Sequence, residues 1–136
     1  MQTKEAYEEV GRWVRKVEND FRNIALVLPD ERAPFDTVCF HAQQGAEKYI
    51  KALLTALGIP FGRTHDLPEL LALLPDSCAV VREVGDLTEL TDAAVSARYP
   101  GSEDEYDRAL AEEMVAVARR VESSVRRELI RLGFVV

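Results

Sequence analysis

Between its prolines this 136-residue chain sets apolar side chains three and four residues apart, a spacing that little besides an α-helix can use. Tyr7, Val10, Val14, Val17, Phe21, Ile24 and Leu28 fall on one stripe and predict a long helix over about 3–28, with Trp13 capping the edge of the stripe. Val38, Ala42, Ala46, Tyr49, Ile50, Leu53 and Leu57 do the same for a second helix over about 36–57, and Gly58 directly after it suits a C-terminal cap. Toward the C-terminus, Tyr106, Leu110, Met114, Val117, Val121, Val125, Leu129 and Leu132 line a last helix. Only the terminal Phe134-Val135-Val136 has any strand character.

The six prolines fall between these stretches, where a missing N–H costs least: Pro29 and Pro34, Pro60 and Pro68, Pro75, and Pro100. Asp66 followed by Glu69 reads as a capping-box variant that opens a short helix, LPELLALL, with Pro68 in its first turn. A fourth helix is expected over about 79–97, and Ser102 with Glu105 forms an S-x-x-E box to start the last one. With no repeat, linker or low-complexity tract, the pattern predicts an all-α fold. The architecture expected is an antiparallel up-and-down helical bundle of four long helices plus one short helix, in a single domain spanning 1–136.

Composition narrows the function. A net charge of −7 removes the usual footprint of a free-standing nucleic-acid binder. The cluster Arg119, Arg120, Arg126, Arg127 and Arg131 is interleaved with Glu122 and Glu128, which reads as a salt-bridged helix face. No apolar run reaches the roughly 18 residues of a membrane span, and the acidic, polar N-terminus resembles no leader, so the expected location is cytoplasmic. Cys39 and Cys78, far apart and without a CxxC, are expected to be buried thiols. Phosphate-binding glycine loops are absent, and neither the Cys39–His41 spacing nor any Glu-x-x-His pair suits a metal, so neither metal nor cofactor is expected.

Three places carry candidate chemistry. The run FHAQQGAEKYIKALL, 40–54, crowds Gln43, Gln44, Glu47, Lys48 and Lys51 onto a helix, either as a ligand-binding face or as hydrogen bonds and an i,i+4 ion pair within the bundle. His41 and His65 are the only side chains whose unperturbed pKa suits acid–base work near neutrality, although neither has a Ser or Cys partner at a catalytic spacing. In ARYPG, Arg98 either compensates a helix C-terminus or grips a phosphate bidentately while Tyr99 stacks on a base.

FHAQQGAEKYIKALL, THDLPELLALL and ARYPG, in this order, resemble the HEPN family of small bacterial and archaeal helical proteins over nearly the whole chain. That resemblance implies a bundle that dimerises and pairs with a small nucleotidyltransferase-type partner, often as a toxin–antitoxin module, with nucleotide or RNA as ligand. Many members cleave RNA with an Arg, a spacer of four to six residues, and a His, contributed by both subunits of the dimer. Arg98 is the best match to that Arg, but no His lies among residues 102–106, and no other arginine has one at that spacing. Glu103 or Asp104 could serve as a base only after a large pKa shift, and Tyr106 starts near pKa 10.

Two readings follow. The preferred one is a non-catalytic dimeric module whose binding contacts come from Arg98, Tyr99, Gln44, Glu47, Lys48 and Lys51. The alternative is a metal-independent ribonuclease in which Arg98 stabilises the scissile phosphate and His41 or His65 replaces the missing histidine.

Overall fold

The computed structural model describes residues 3–101 and 105–136. Its α-helices are α1 (Lys4–Val27), α2 (Phe35–Ala56), α3 (Leu67–Leu71), α4 (Ala79–Val84), α5 (Thr88–Ser96) and α6 (Arg108–Arg131). There is no strand among the described residues; Phe134 instead tucks its ring against Tyr7, centroids 5.2 Å apart.

The periodic stretches become the three long helices. In α1 the stripe Val10, Val14, Val17, Phe21 and Ile24 is buried, and in α2 Val38, Ala42, Ala46, Tyr49, Ile50 and Leu53 are buried as their spacing requires. Helix α2 is the axle of the molecule, packed by α1, α6, α5 and α3. It therefore buries far more than one stripe: Cys39, Gln43, Glu47, Lys51, Ala52 and Leu54 are also inside. Its end at Gly58 is a Schellman closure, with Ile59 N–H donating to Leu54 O (2.9 Å) and Gly58 N–H to Thr55 O (3.1 Å).

Helices α1 and α6 run antiparallel and are clasped at both ends. At one end the Tyr7 hydroxyl donates to Gly133 O (3.2 Å) and accepts from Val135 N–H (3.0 Å). At the other, the Arg108 guanidinium donates to O of Leu28, the C-cap of α1 (2.7 Å), and to Asp30 O in the turn beyond it (2.8 Å), setting a cation at the helix C-terminus while stacking over Phe35. Between the clasps, Gly45 of α2 lets α2 close on α1: a Cβ there would lie 2.9 Å from Phe21 Cε2.

Three expectations need correction. The fourth long helix over 79–97 is two short ones, because Gly85 adopts φ +67°, ψ −148°, a conformation outside any helix. Asp86 then caps the restart, accepting from Thr88 N–H (2.9 Å) and Oγ1 (2.6 Å). The last helix starts at Arg108 rather than at 102–105: its cap is Asp107, which accepts from Leu110 N–H (2.8 Å). Glu105 lies in a turn before it, and Ser102 of the expected box lies outside the described residues. Finally, LPELLALL is helical only through Leu71; Asp66 does cap Glu69 N–H (3.1 Å), but the Glu69 carboxylate accepts from Thr64 Oγ1 (2.9 Å) instead of returning to Asp66 N–H. Among the described residues the bundle is thus three long helices with a wall of three short ones.

Candidate functional site

The polar residues of α2 are spent on two buried carboxylates. Asp20, on α1, has 5% of its surface exposed, which an isolated charge could not tolerate. It is met from α2 by Lys48 Nζ at 2.5 Å and His41 Nδ1 at 2.9 Å. Residues 41 and 48 are seven apart, two helical turns, so both side chains reach the same point of α1. One turn away, Glu47 is 3% exposed and receives Lys51 Nζ (3.0 Å), Gln43 Nε2 (3.2 Å) and His65 Nδ1 (2.9 Å).

The second cluster also ties down the loop between α2 and α3. Gln43 Nε2 donates to His65 O (2.8 Å), and Gln44 Nε2 donates to Gln43 Oε1 (2.8 Å). The Lys51 ammonium sits between Trp13 and Phe61, 5.9 and 5.7 Å from the ring centroids, in cation–π range of both. Lys51 is 7% exposed. Glu47 and Lys51 therefore face each other inside the bundle, as the i,i+4 spacing allowed, while Lys48 and Gln44 lie nearer the surface.

A carboxylate can only accept, so each histidine turns an Nδ1–H inward and its Nε2 away from the carboxylate. The two differ in setting: the His65 side chain is largely exposed, whereas that of His41 is mostly covered. His41 packs edge-on to Phe40, with centroids 5.7 Å apart. The same Phe40 ring carries the Arg98 guanidinium at 5.3 Å. The fold thus brings His41 and Arg98, 57 positions apart in the chain, to one aromatic side chain. His65 joins the other cluster.

Arg98 stands just past the end of α5 and is exposed, as is Tyr99. Arg98 lines a pocket of about 350 Å³ together with Ala97 and with Asp36, Thr37 and Phe40 from the first turns of α2. The pocket combines a guanidinium, a carboxylate, a hydroxyl and an aromatic wall. Behind it, the Tyr106 hydroxyl donates to Ala93 O and pins the start of the last segment to α5. Burial pushes the Tyr106 phenol above its ordinary pKa, so it is no base near neutrality.

Asp20 is the polar residue that sequence reasoning missed. It is the fourth position after Lys16 on a helix rich in surface charge, and nothing local sets it apart from Glu18. The arginine-rich face of α6 also reaches Tyr49 of α2. Tyr49 OH donates to Glu122 Oε2 (3.1 Å) and accepts from Arg126 Nη1 (3.2 Å), while Arg119 pairs with Glu122 (2.9 Å) and stacks over Phe21 at 4.2 Å. Burial raises the Tyr49 phenol pKa, with the Arg126 hydrogen bond pulling the other way. Arg127 pairs with Glu83 and Arg131 with Glu128, so most of the arginine cluster is the ion-paired face its spacing suggested. No group of three or more His, Cys, Asp or Glu among the described residues is placed to hold a metal ion.

No curated protein matches the sequence. In fold, the chain is similar to ST0689, an archaeal HEPN homologue of known crystal structure, at 25% identity and a TM-score of 0.69, covering 88% of this chain and 97% of that one. The HEPN domain model matches residues 10–128, from the first buried valine of α1 to the last turn of α6. A match of that extent, on a helical frame that also superposes on an archaeal homologue, establishes that this chain belongs to the HEPN family.

Proposed function

We propose that this chain is a HEPN binding module that takes a nucleotide or a short stretch of RNA at the Arg98 pocket. In this reading it works as a homodimer alongside a nucleotidyltransferase-type protein, in a pairing of the toxin–antitoxin kind. One observation carries the ligand assignment: Arg98 is exposed over an aromatic wall, whereas Glu47, Lys51 and Lys48 are committed to ion pairs within the bundle. A guanidinium so placed offers a planar fork to phosphate oxygens, Thr37 and Asp36 offer hydrogen bonds to sugar or base edges, and Tyr99 offers a face for stacking. Gln44, Glu47, Lys48 and Lys51 then act on the site by holding α2 in place, not by touching the ligand.

A second reading, ribonuclease action, draws on the Asp20–His41 contact. The buried carboxylate orients the imidazole, and the Phe40 ring contacts both His41 and the Arg98 guanidinium. Such an arrangement could place a base and a phosphate-stabilising cation around one phosphodiester. Against it stand the absent histidine five to seven residues beyond the motif arginine and the sharing of Asp20 with Lys48.

One experiment separates them. Oligouridylate and a nucleoside triphosphate are titrated into the wild type, Arg98→Ala and the His41→Ala/His65→Ala double variant, and RNA integrity is followed in the same samples. The expected outcome is intact RNA throughout and affinity about 10-fold or more weaker for Arg98→Ala alone, the worth of one charge-assisted bidentate contact. RNA cleavage by the wild type that disappears in the double variant would replace the binding reading with the ribonuclease one.

A further inference from the structure

The glycine inside α1 has no conformational reason to be there. Gly11 is helical like its neighbours and its φ is not positive, so a residue of better helix propensity would make a more stable α1. What it provides is room: a Cβ at position 11 would lie 3.2 Å from Arg15 Nη1. Helical side chains lean toward the N-terminus, and the Arg15 guanidinium lies back over the bare backbone one turn before its own Cα.

There it lines a cleft of about 460 Å³ between the first half of α1 and the C-terminal tail, together with Arg12, Tyr7, Val10, Phe134 and Val135. Arg15 is exposed, and among the described residues no carboxylate pairs with it. The Arg12–Glu9 contact, at 3.3 Å, joins side chains that are 60% and 55% exposed, a pair that competes weakly with a bound anion. The aromatic wall is fixed. Tyr7 and Phe134 stack with planes 23° from parallel, and Gly133 O and Val135 N–H hold the Tyr7 hydroxyl. Gly133, at φ +96°, turns the tail back onto α1. Phe134 is satisfied by packing, but Val135 stays 85% exposed at the rim.

We propose that this cleft binds a small phosphomonoester with a flat apolar body, its phosphoryl oxygens held by Arg12 and Arg15 and its body laid against Tyr7, Phe134 and Val135. Two guanidiniums match a dianion, where a carboxylate would satisfy only one of them. The rings and valines have no free hydrogen-bonding side-chain group, so they suit an apolar body. Glu8, also on the cleft, repels a second anionic group and makes a polyphosphate or a nucleic-acid backbone a poor occupant. The Arg98 pocket lies elsewhere. Lys51 meets Trp13 of α1 while Phe40 carries Arg98, positions roughly 16 Å apart along α2, and no residue lines both sites.

The test titrates naphthyl phosphate, naphthoate, naphthol and inorganic phosphate into the full chain by calorimetry. Naphthyl phosphate should bind about 10-fold or more tighter than each of the others. Naphthoate or naphthol binding as tightly would overturn the phosphate assignment, and inorganic phosphate binding as tightly would overturn the apolar one. Arg12→Gln/Arg15→Gln should weaken naphthyl phosphate about 10-fold or more. Lys16→Gln/Arg22→Gln removes equal charge from exposed positions of the same helix and should leave affinity within about twofold; an equal loss there would show bulk charge attraction and overturn the proposal. Gly11→Ala gives a readout that misfolding cannot mimic: it should raise the melting temperature through helix propensity while weakening binding by displacing the Arg15 guanidinium. Unchanged affinity in Gly11→Ala, or no binding of naphthyl phosphate by wild type, would overturn the proposal. So would displacement of naphthyl phosphate by oligouridylate, because the two would then share a site. Circular dichroism confirms folding of the charge variants, and the outcome does not depend on whether the Arg98 pocket takes a nucleotide.

Discussion

At the scale of single residues, the polar identities in α2 are explained by burial more than by ligand contact. Glu47 exists as a charge in the interior because Lys51, Gln43 and His65 surround it, and Lys51 because Glu47 and two aromatic rings do. Removing one member strands the other. Glu47→Ala is expected to cost about 3–5 kcal/mol, read from urea denaturation, because the Lys51 ammonium is left inside without its counter-charge. Lys48→Ala is expected to cost less, since half of the Asp20 contact survives through His41. Equal costs for the two variants would mean that the cluster around Glu47 is not sealed. The sequence showed Gln43, Glu47 and Lys51 as an unusual group, and their i,i+4 pairing was legible. Asp20 was not, because what distinguishes it from Glu18 is only which side of α1 meets α2.

At the scale of elements, the apolar stripes foretold α1, α2 and the body of α6, because burying one face of a helix demands that spacing. Breaks were harder. The stretch 79–97 has helical residues throughout, and its only interruption, Gly85-Asp86, reads in sequence as a tolerable glycine. Backbone geometry decides the matter: φ +67° with ψ −148° is accessible to glycine almost alone. Gly85→Ala is therefore expected to destabilise by about 1–3 kcal/mol through strain instead of fusing α4 with α5. A stability gain, together with an increase in helical circular dichroism, would refute the built-in break. The expected start of the last helix failed because the sequence offers a second capping residue five positions after Ser102: Asp107 caps Leu110 directly, and α6 begins at Arg108.

At the scale of the whole molecule, α2 is enclosed so fully that ionisable groups on it respond to unfolding. Cys39 is wholly buried, and desolvation, helped by the nearby Asp36 and Asp107 carboxylates, raises its thiol pKa to about 12. The unfolded thiol ionises at its ordinary value near 9, so between about pH 9 and 12 the unfolded chain binds fewer protons and stability falls as pH rises. Urea midpoints should accordingly drop from pH 8 to pH 10.5, and Cys39→Ala should flatten that slope. A slope unchanged in the variant would assign the alkaline loss to other groups, the buried Tyr49 phenol first among them. The same enclosure brings His41, Phe40 and Arg98 into one neighbourhood, a grouping that no local spacing announced.

Taken by itself, the sequence determined that the chain is helical, where α1, α2 and the body of α6 lie, which side of each is buried, and the family to which it belongs. These are local or pattern-level properties: helix periodicity and capping act over three to seven residues, and motifs are read in order along the chain. Only the tertiary structure decided which charges face inward, that Asp20 and Glu47 are the hubs, that Arg98 rather than the glutamine–lysine run reaches a pocket, and that Arg12 and Arg15 share a cleft with the Tyr7–Phe134 stack. Those depend on the rotation of one helix against another. A turn of about 100° per residue carries a side chain from core to surface, so a single position separates a buried hub from an exposed charge.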